Sequence, residues 1–118
     1  MKIYIAGKNI ERARAVMNTL RKLGHRITFD WVGNIKNEND LTRKASYERE
    51  GIRDADVLIF LWEAEQESAR YEAGMAMGLG KPIIVSGKKD AFFFRLPEVI
   101  KVQNDKEIPH ILSTFSHF

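Results

Sequence analysis

Residues 54–86, DADVLIFLWEAEQESARYEAGMAMGLGKPIIVS, decide the fold. VLIFLW at 57–62 is an apolar run without alternation, the pattern of a central parallel strand covered on both faces. A polar loop follows it, then a helix that begins near Ser68 and ends at Gly80, then a second buried strand, PIIVS, at 82–86. Strand, helix and strand in that order form a parallel βαβ unit. Glu72 falls near the first turn of the helix, where free backbone N–H groups and the helix dipole favour an ionised carboxylate. Open α/β sheets bind ligands in the crevice at the carboxyl ends of their strands, so this acid is the first candidate to attack or position a substrate.

The flanks repeat the alternation. KIYIA at 2–6 is a strand ending at Gly7, and Ile10, Ala13, Met17, Leu20 and Leu23 then follow helical spacing, with Asn9 as N-cap and Gly24 as stop. RITFD at 26–30 predicts the next strand, and Val32 to Asn39 a polar connection. A second helix is expected from about Asp40 to Arg53, with Leu41, Ala45 and Ile52 on its inner side. AFFFRLPE at 91–98 fits a short helix or a loop, before a strand at 99–103 and a terminal helix from about Lys106. Four to five strands in one domain spanning 1–118 predict an α/β, flavodoxin-like doubly wound parallel sheet with helices on both faces. Gly7 stands without a GxGxxG or Walker pattern, so neither a dinucleotide nor a nucleoside triphosphate is the obvious ligand.

Composition narrows the chemistry. A 44% hydrophobic share with 30% charged residues is that of a globular chain. With no cysteine there is no disulfide framework, thiol nucleophile or Cys-ligated metal, and His25, His110 and His117 lack metal-ligand spacing. No metal and no organic cofactor are expected. The sequence holds no apolar segment of membrane-spanning length and no secretory leader after Met1, so the expectation is a cytoplasmic protein away from membranes. The net charge of +3 is spread over several segments and interleaved with acids, as on a solvated surface and unlike a nucleic-acid face.

Three stretches fall at strand ends and converge on one edge of such a sheet: Tyr4 to Asn9, Asp30 with Trp31, and Glu63 to Glu72. They supply a phenol, amide donors, aromatic surface and carboxylates. The turns Gly7-Lys8-Asn9 and Ser68-Ala69-Arg70 open onto two helix N-termini, a seat for a phosphate or carboxylate to which Lys8 or Arg70 adds charge. Ser68 also suits an N-cap, and of Met75 and Met77 on neighbouring helix faces one fills the core while the other borders a base pocket. Trp31 and Phe92–Phe94 offer rings to a nucleobase, although three adjacent phenylalanines read more simply as a subunit contact.

KIYIAG at 2–7, YERE at 47–50, ADVLIF at 55–60 and YEAGMAMGLGKPIIV at 71–85 resemble, in the same order, the nucleoside 2-deoxyribosyltransferase-like enzymes, which include the deoxynucleoside 5′-monophosphate N-glycosidases. The last stretch is similar to that family's E-x-G-x-A-x-x-x-G-K-P pattern. The resemblance implies that Glu72 is a nucleophile forming a covalent glycosyl–enzyme intermediate, that Tyr4 lies beside the sugar, and that Glu48 stands where the family has an aspartate assisting base departure. It implies a small-molecule nucleoside or nucleotide substrate and a homodimer or larger homo-oligomer. The chemistry is coherent on its own terms: one carboxylate stabilises an oxocarbenium-like sugar, and a second, with its pKa raised by burial, protonates the leaving base. The helix N-terminus is expected to lower the pKa of Glu72, separating the two roles. Before the glutamate the chain departs from the family: Gln66 replaces an upstream aspartate, the small glycine-rich loop is absent, and Glu63, Glu65 and Glu67 there repel a phosphate unless they point to solvent. A catalytically inactive nucleotide-binding or sensing domain is the alternative that this altered loop leaves open.

Overall fold

The computed structural model describes residues 1–33 and 41–115. Its strands are β1 (Lys2–Ala6), β2 (Arg26–Ile27), β3 (Val57–Leu61), β4 (Ile83–Ser86) and β5 (Val99–Val102), all parallel and ordered β2-β1-β3-β4-β5. That order is the flavodoxin-like one, with its switch point between β1 and β3. Helices α1 (Ile10–Lys22), α2 (Leu41–Asp54), α3 (Ser68–Gly78) and α4 (Ile108–Ser113) surround the sheet. The unbroken apolar run of β3 is buried at every position, as a strand covered on both faces requires.

Register assigns the faces. Tyr4 pairs with Leu58 and Ala6 with Phe60, so these side chains share one face of the sheet, under α2 and α3. Ile3, Ile5, Ile59 and Leu61 point to the other face. There Arg12 on α1 forms a fork with Asp105, its Nε and Nη2 each donating at 2.8 Å, and donates also to the carbonyls of Trp62 (2.7 Å) and Ser86 (3.1 Å). The Ser86 hydroxyl donates to the same carboxylate at 2.6 Å. One guanidinium thereby ties α1, the ends of β3 and β4, and the 3₁₀ turn Asp105–Glu107 into a single unit.

Several boundaries differ from the sequence reading. The strand expected over 26–30 is two residues long, because Asp30 accepts from the Gly33 N–H at 2.8 Å in a side-chain-closed turn and Trp31 folds back to donate its indole N–H to the Ile5 carbonyl at 2.7 Å. Helix α2 buries Gly51 and Ile52, half-buries Lys44 and Glu48, and leaves Leu41 and Ala45 solvent-accessible where, with Lys44 and Glu48, they line a cavity. Its C-terminal half packs on the core, whereas its N-terminal half, Leu41 and Ala45 included, faces a cavity lined also by Lys44 and Glu48. Asp40 and residues 34–39 of the polar connection lie outside the described residues. Leu79 and Gly80 turn out of α3, Gly80 at φ 69° as a C-terminal glycine should. Between β4 and β5 the crossover carries only a 3₁₀ turn, Phe92–Arg95, with Phe94 edge-on to Phe60 and with Phe92 and Phe93 75% and 61% exposed. No helix among the described residues is long and apolar enough to cross a membrane.

Candidate active site

The switch point between β1 and β3 places Tyr4 on an interior strand, fully buried, with its ring directed toward α2 and α3. Gly51 makes room for it: a Cβ there would meet Tyr4 Cδ2 at 3.2 Å and Phe29 Cβ at 3.0 Å, so glycine lets α2 lie close against β1. The Tyr4 hydroxyl donates to Glu72 Oε2 in a short hydrogen bond and lies 3.5 Å from Glu48 Oε1. A phenol on a strand and carboxylates on two different helices therefore meet at one point. Burial, the neighbouring Glu72 and Glu48 charges and their hydrogen bonds push the Tyr4 hydroxyl far above its ordinary pKa, so it is a proton donor and never a phenolate.

Glu72 is 7% exposed, and its pKa is pushed up to about 7. Burial is the largest cause; the Tyr4 hydrogen bond and Lys44 oppose it, and Glu48 adds to it. This corrects the expected dipole effect. Helix α3 starts at Ser68, so Glu72 is its fifth residue, past the turn where free N–H groups act, and desolvation prevails. Glu48 is half-buried and is also raised, by burial, with Lys44 and Tyr4 pulling the other way. The two acids thus shift in the same direction, not in opposite ones. Lys44 stands one helical turn before Glu48 on the inner face of α2.

These groups open into a cavity of about 560 Å3 whose lining includes Gly7, Lys8, Trp31, Lys44, Glu48 and Glu72. Its rim is the segment after β3, with Glu65, Gln66, Glu67 and Ser68. Gln66, 4% exposed, latches that segment from within: its amide donates to the Leu61 carbonyl at 2.8 Å and accepts from the Glu63 N–H at 2.9 Å. Glu65 stands at φ 61°, a left-handed conformation that costs a residue with a Cβ about 1–2 kcal/mol. Lys8 Nζ donates to its carbonyl at 3.3 Å. Glu63 turns away, accepting from the Asn9 N–H at 3.0 Å with Arg12 3.9 Å off.

Of the residues read from the sequence, Glu48, Glu72, Gly7, Lys8, Gln66 and Ser68 line this cavity, and Tyr4, fully buried behind it, is joined to it through Glu72 and Glu48. Asn9, Arg70 and Met75 are not among its lining residues. Asn9 caps α1, its side chain accepting from the Arg12 N–H at 2.9 Å. Arg70 borders a separate groove of about 370 Å3 that includes Phe60, Trp62 and Phe92–Phe94, and Met75 is exposed on α3. Ser68 is the first helical residue and Glu67 the N-cap, without a side-chain cap bond. Lys44 escaped the sequence reading, as did the latch role of Gln66. The i, i+4 spacing of Lys44 and Glu48 was the available signal for the lysine. Among the described residues no three His, Asp or Glu side chains group as a metal site.

The same architecture recurs in solved structures of nucleoside-processing enzymes. A CMP N-glycosidase from Clostridium botulinum superposes with a TM-score of 0.68 at 17% identity, over 98% of this chain and 100% of that one. A 2-deoxyribosyltransferase from the psychrotolerant bacterium Bacillus psychrosaccharolyticus gives 0.69 at 18% identity, over 98% of this chain and 93% of the other. No family model and no curated protein matches the sequence. The chain has a nucleoside 2-deoxyribosyltransferase-like fold, a likeness of shape that fixes the architecture and leaves the reaction to be argued from the side chains.

Proposed function

We propose that this chain cleaves, or exchanges between bases, the N-glycosidic bond of a deoxynucleoside or deoxynucleoside 5′-monophosphate. The observation that carries the reading is the buried Tyr4–Glu72 hydrogen bond at the floor of a cavity that Glu48 also lines. A cavity of about 560 Å3 lies within the size range of small-molecule sites, roughly 300–1,000 Å3. The ionised Glu72 carboxylate bonds to the anomeric carbon as the carbon–nitrogen bond breaks and its electron pair leaves with the base. Glu48, whose pKa burial raises as it does that of Glu72, gives the departing base its proton. Water, deprotonated by Glu48, or a second base then attacks the same carbon and frees Glu72. Tyr4 fixes the carboxylate oxygen and lowers the cost of its charge. Gly7, Lys8, Gln66 and Ser68 are the lining residues assigned to substrate.

A second copy of the chain is also part of the proposal. Phe92 and Phe93 project from the 3₁₀ turn between β4 and β5, where a longer crossover helix would otherwise cover the sheet, and a homo-oligomer would bury them. Both parts are open to test. Purified protein is incubated with 2′-deoxynucleosides and their 5′-monophosphates, and free base is sought by chromatography, with Glu72→Ala as control. Base released by the wild type and not by the variant supports the mechanism. Equal release by both removes Glu72 from it. No base, together with a nucleotide-dependent rise in melting temperature, replaces catalysis with a binding or sensing role on the same cavity. Sedimentation of the wild type and of Phe92→Ser/Phe93→Ser checks the assembly, and a monomeric wild type ends that part of the reading.

A further inference from the structure

The lysines of the fold are unequally committed. Lys8 donates to the Glu65 carbonyl at 3.3 Å, and Lys81 donates at the C-terminal end of α2 to the carbonyls of Arg53 and Ala55 at 2.8 and 2.6 Å. Lys44 is half-buried in the cavity lining, and among the described residues it closes no hydrogen bond and lies more than 4.0 Å from any carboxylate oxygen. Its charge is nevertheless felt by both reacting carboxyls, favouring the ionised form of Glu48 and of Glu72. Helix stabilisation does not account for the placement. Lysine before glutamate at i, i+4 is the weaker order for such a pair, and here the pair stays open. An ammonium with three donors unused therefore stands in the cavity beside the acid, with room for a ligand atom between them.

We propose that Lys44 is a further catalytic residue of the N-glycosidic reaction, one that holds the departing base. The inference rests on the proposed chemistry, in which Glu72 on α3 takes the sugar carbon and Glu48 on α2 meets the base. Lys44 stands on α2 one turn from Glu48, so a base that reaches the acid also reaches the ammonium. Every common nucleobase carries an acceptor beside its glycosidic nitrogen, O2 in a pyrimidine and N3 in a purine. As the carbon–nitrogen bond breaks, its electron pair passes to the base and negative charge collects on the ring. The ammonium donates to that acceptor and stabilises the charge, as a fixed donor does for an oxyanion. Glu48 supplies the proton and Lys44 keeps its own, so the products are unchanged.

The test pairs deoxyadenosine with its 3-deaza analogue, which has C–H in place of N3, and thymidine with 2-thiothymidine, whose sulfur accepts weakly, each also as the 5′-monophosphate. Base release is measured for the wild type, for Lys44→Met, which keeps the apolar stem but loses charge and donors, and for Lys44→Arg, which keeps both. Lys44→Gln, polar and uncharged, stands in for Lys44→Met should that variant not fold. For the natural member of a pair, loss of the lysine should lower kcat/KM about a hundredfold, the scale of removing one transition-state donor, whereas the analogue, already without the contact, should change by less than about threefold. Lys44→Arg should restore the gap within the pair. Equal losses on both members, or a wild type that handles the two alike, overturn the inference while leaving the glycosidic chemistry standing. If no substrate yields base, the proposed chemistry fails and melting shifts decide. A larger shift with the natural member in the wild type, absent without the lysine, supports the contact, and any other pattern overturns it.

Discussion

Replacing Glu72 by Gln removes an ionisation that the fold resists, and the consequence is measurable without any substrate. Folding raises the carboxyl pKa from an ordinary 4.5 to about 7, chiefly through burial. The native state therefore keeps its proton over a range where the unfolded chain has lost it. Below pH 4.5 the group contributes nothing; stability then falls as pH rises toward 7, and the full cost persists above. At about 1.36 kcal/mol per pH unit, that interval amounts to about 3 kcal/mol. For a domain of this size the cost corresponds to roughly 10 °C in melting temperature. Glutamine retains an oxygen to accept the Tyr4 hydrogen bond and does not titrate. The difference in melting temperature between Glu72→Gln and wild type should therefore grow by about 10 °C from pH 4 to pH 8 in favour of the variant, as followed by circular dichroism. Base release should be lost across the same range. A difference that stays flat between pH 4.5 and 7 would show that the carboxyl ionises as freely in the fold as outside it, and the assignment of a desolvated nucleophile would fail.

Three other perturbations probe separate parts of the framework. Tyr4→Phe deletes the donor that stabilises ionised Glu72, so the rise of kcat/KM with pH, expected near 7 in the wild type, should move upward by about one pH unit or more and its plateau should fall; an unmoved profile would detach the phenol from the nucleophile. Gly51→Ala drives a Cβ against Phe29 and Tyr4, and should cost about 1–3 kcal/mol in urea unfolding while lowering turnover by displacing the phenol. Arg12→Ala leaves Asp105 without its fork and should cost roughly 1–3 kcal/mol at pH 7. Because Arg12 holds the Asp105 pKa below the usual range, that loss should shrink as pH falls through the acid range, where the wild type also gives up the ion pair.

The alternation of apolar strands with amphipathic helices made the sheet legible, since a buried parallel strand such as VLIFL has no other pattern to adopt. The meeting of Tyr4 with Glu72 follows from strand ends converging, and 68 residues separate the two in sequence. What sequence could not convey was depth. Position near a helix start predicts a lowered pKa for Glu72, whereas burial is the largest influence on it and raises it. Likewise apolar spacing on α2 picks out Leu41 and Ala45 but not Lys44 and Glu48, which line the same cavity, because at that end of the helix a cavity replaces the core. Edge strand β2 is short because side-chain hydrogen bonds of Asp30 and Trp31 outcompete further ladder pairing, an effect invisible to periodicity.

The two walls of the cavity are built to different tolerances. Tyr4 belongs to a strand hydrogen-bonded on both edges, and moving it means disturbing the sheet itself. The opposite wall hangs from side-chain ties at Gln66 and Lys8, outside any regular ladder. Diversification of such a scaffold is therefore cheap on one side and nearly forbidden on the other: descendants can exchange rim residues and acquire new clientele while inheriting the reactive floor intact.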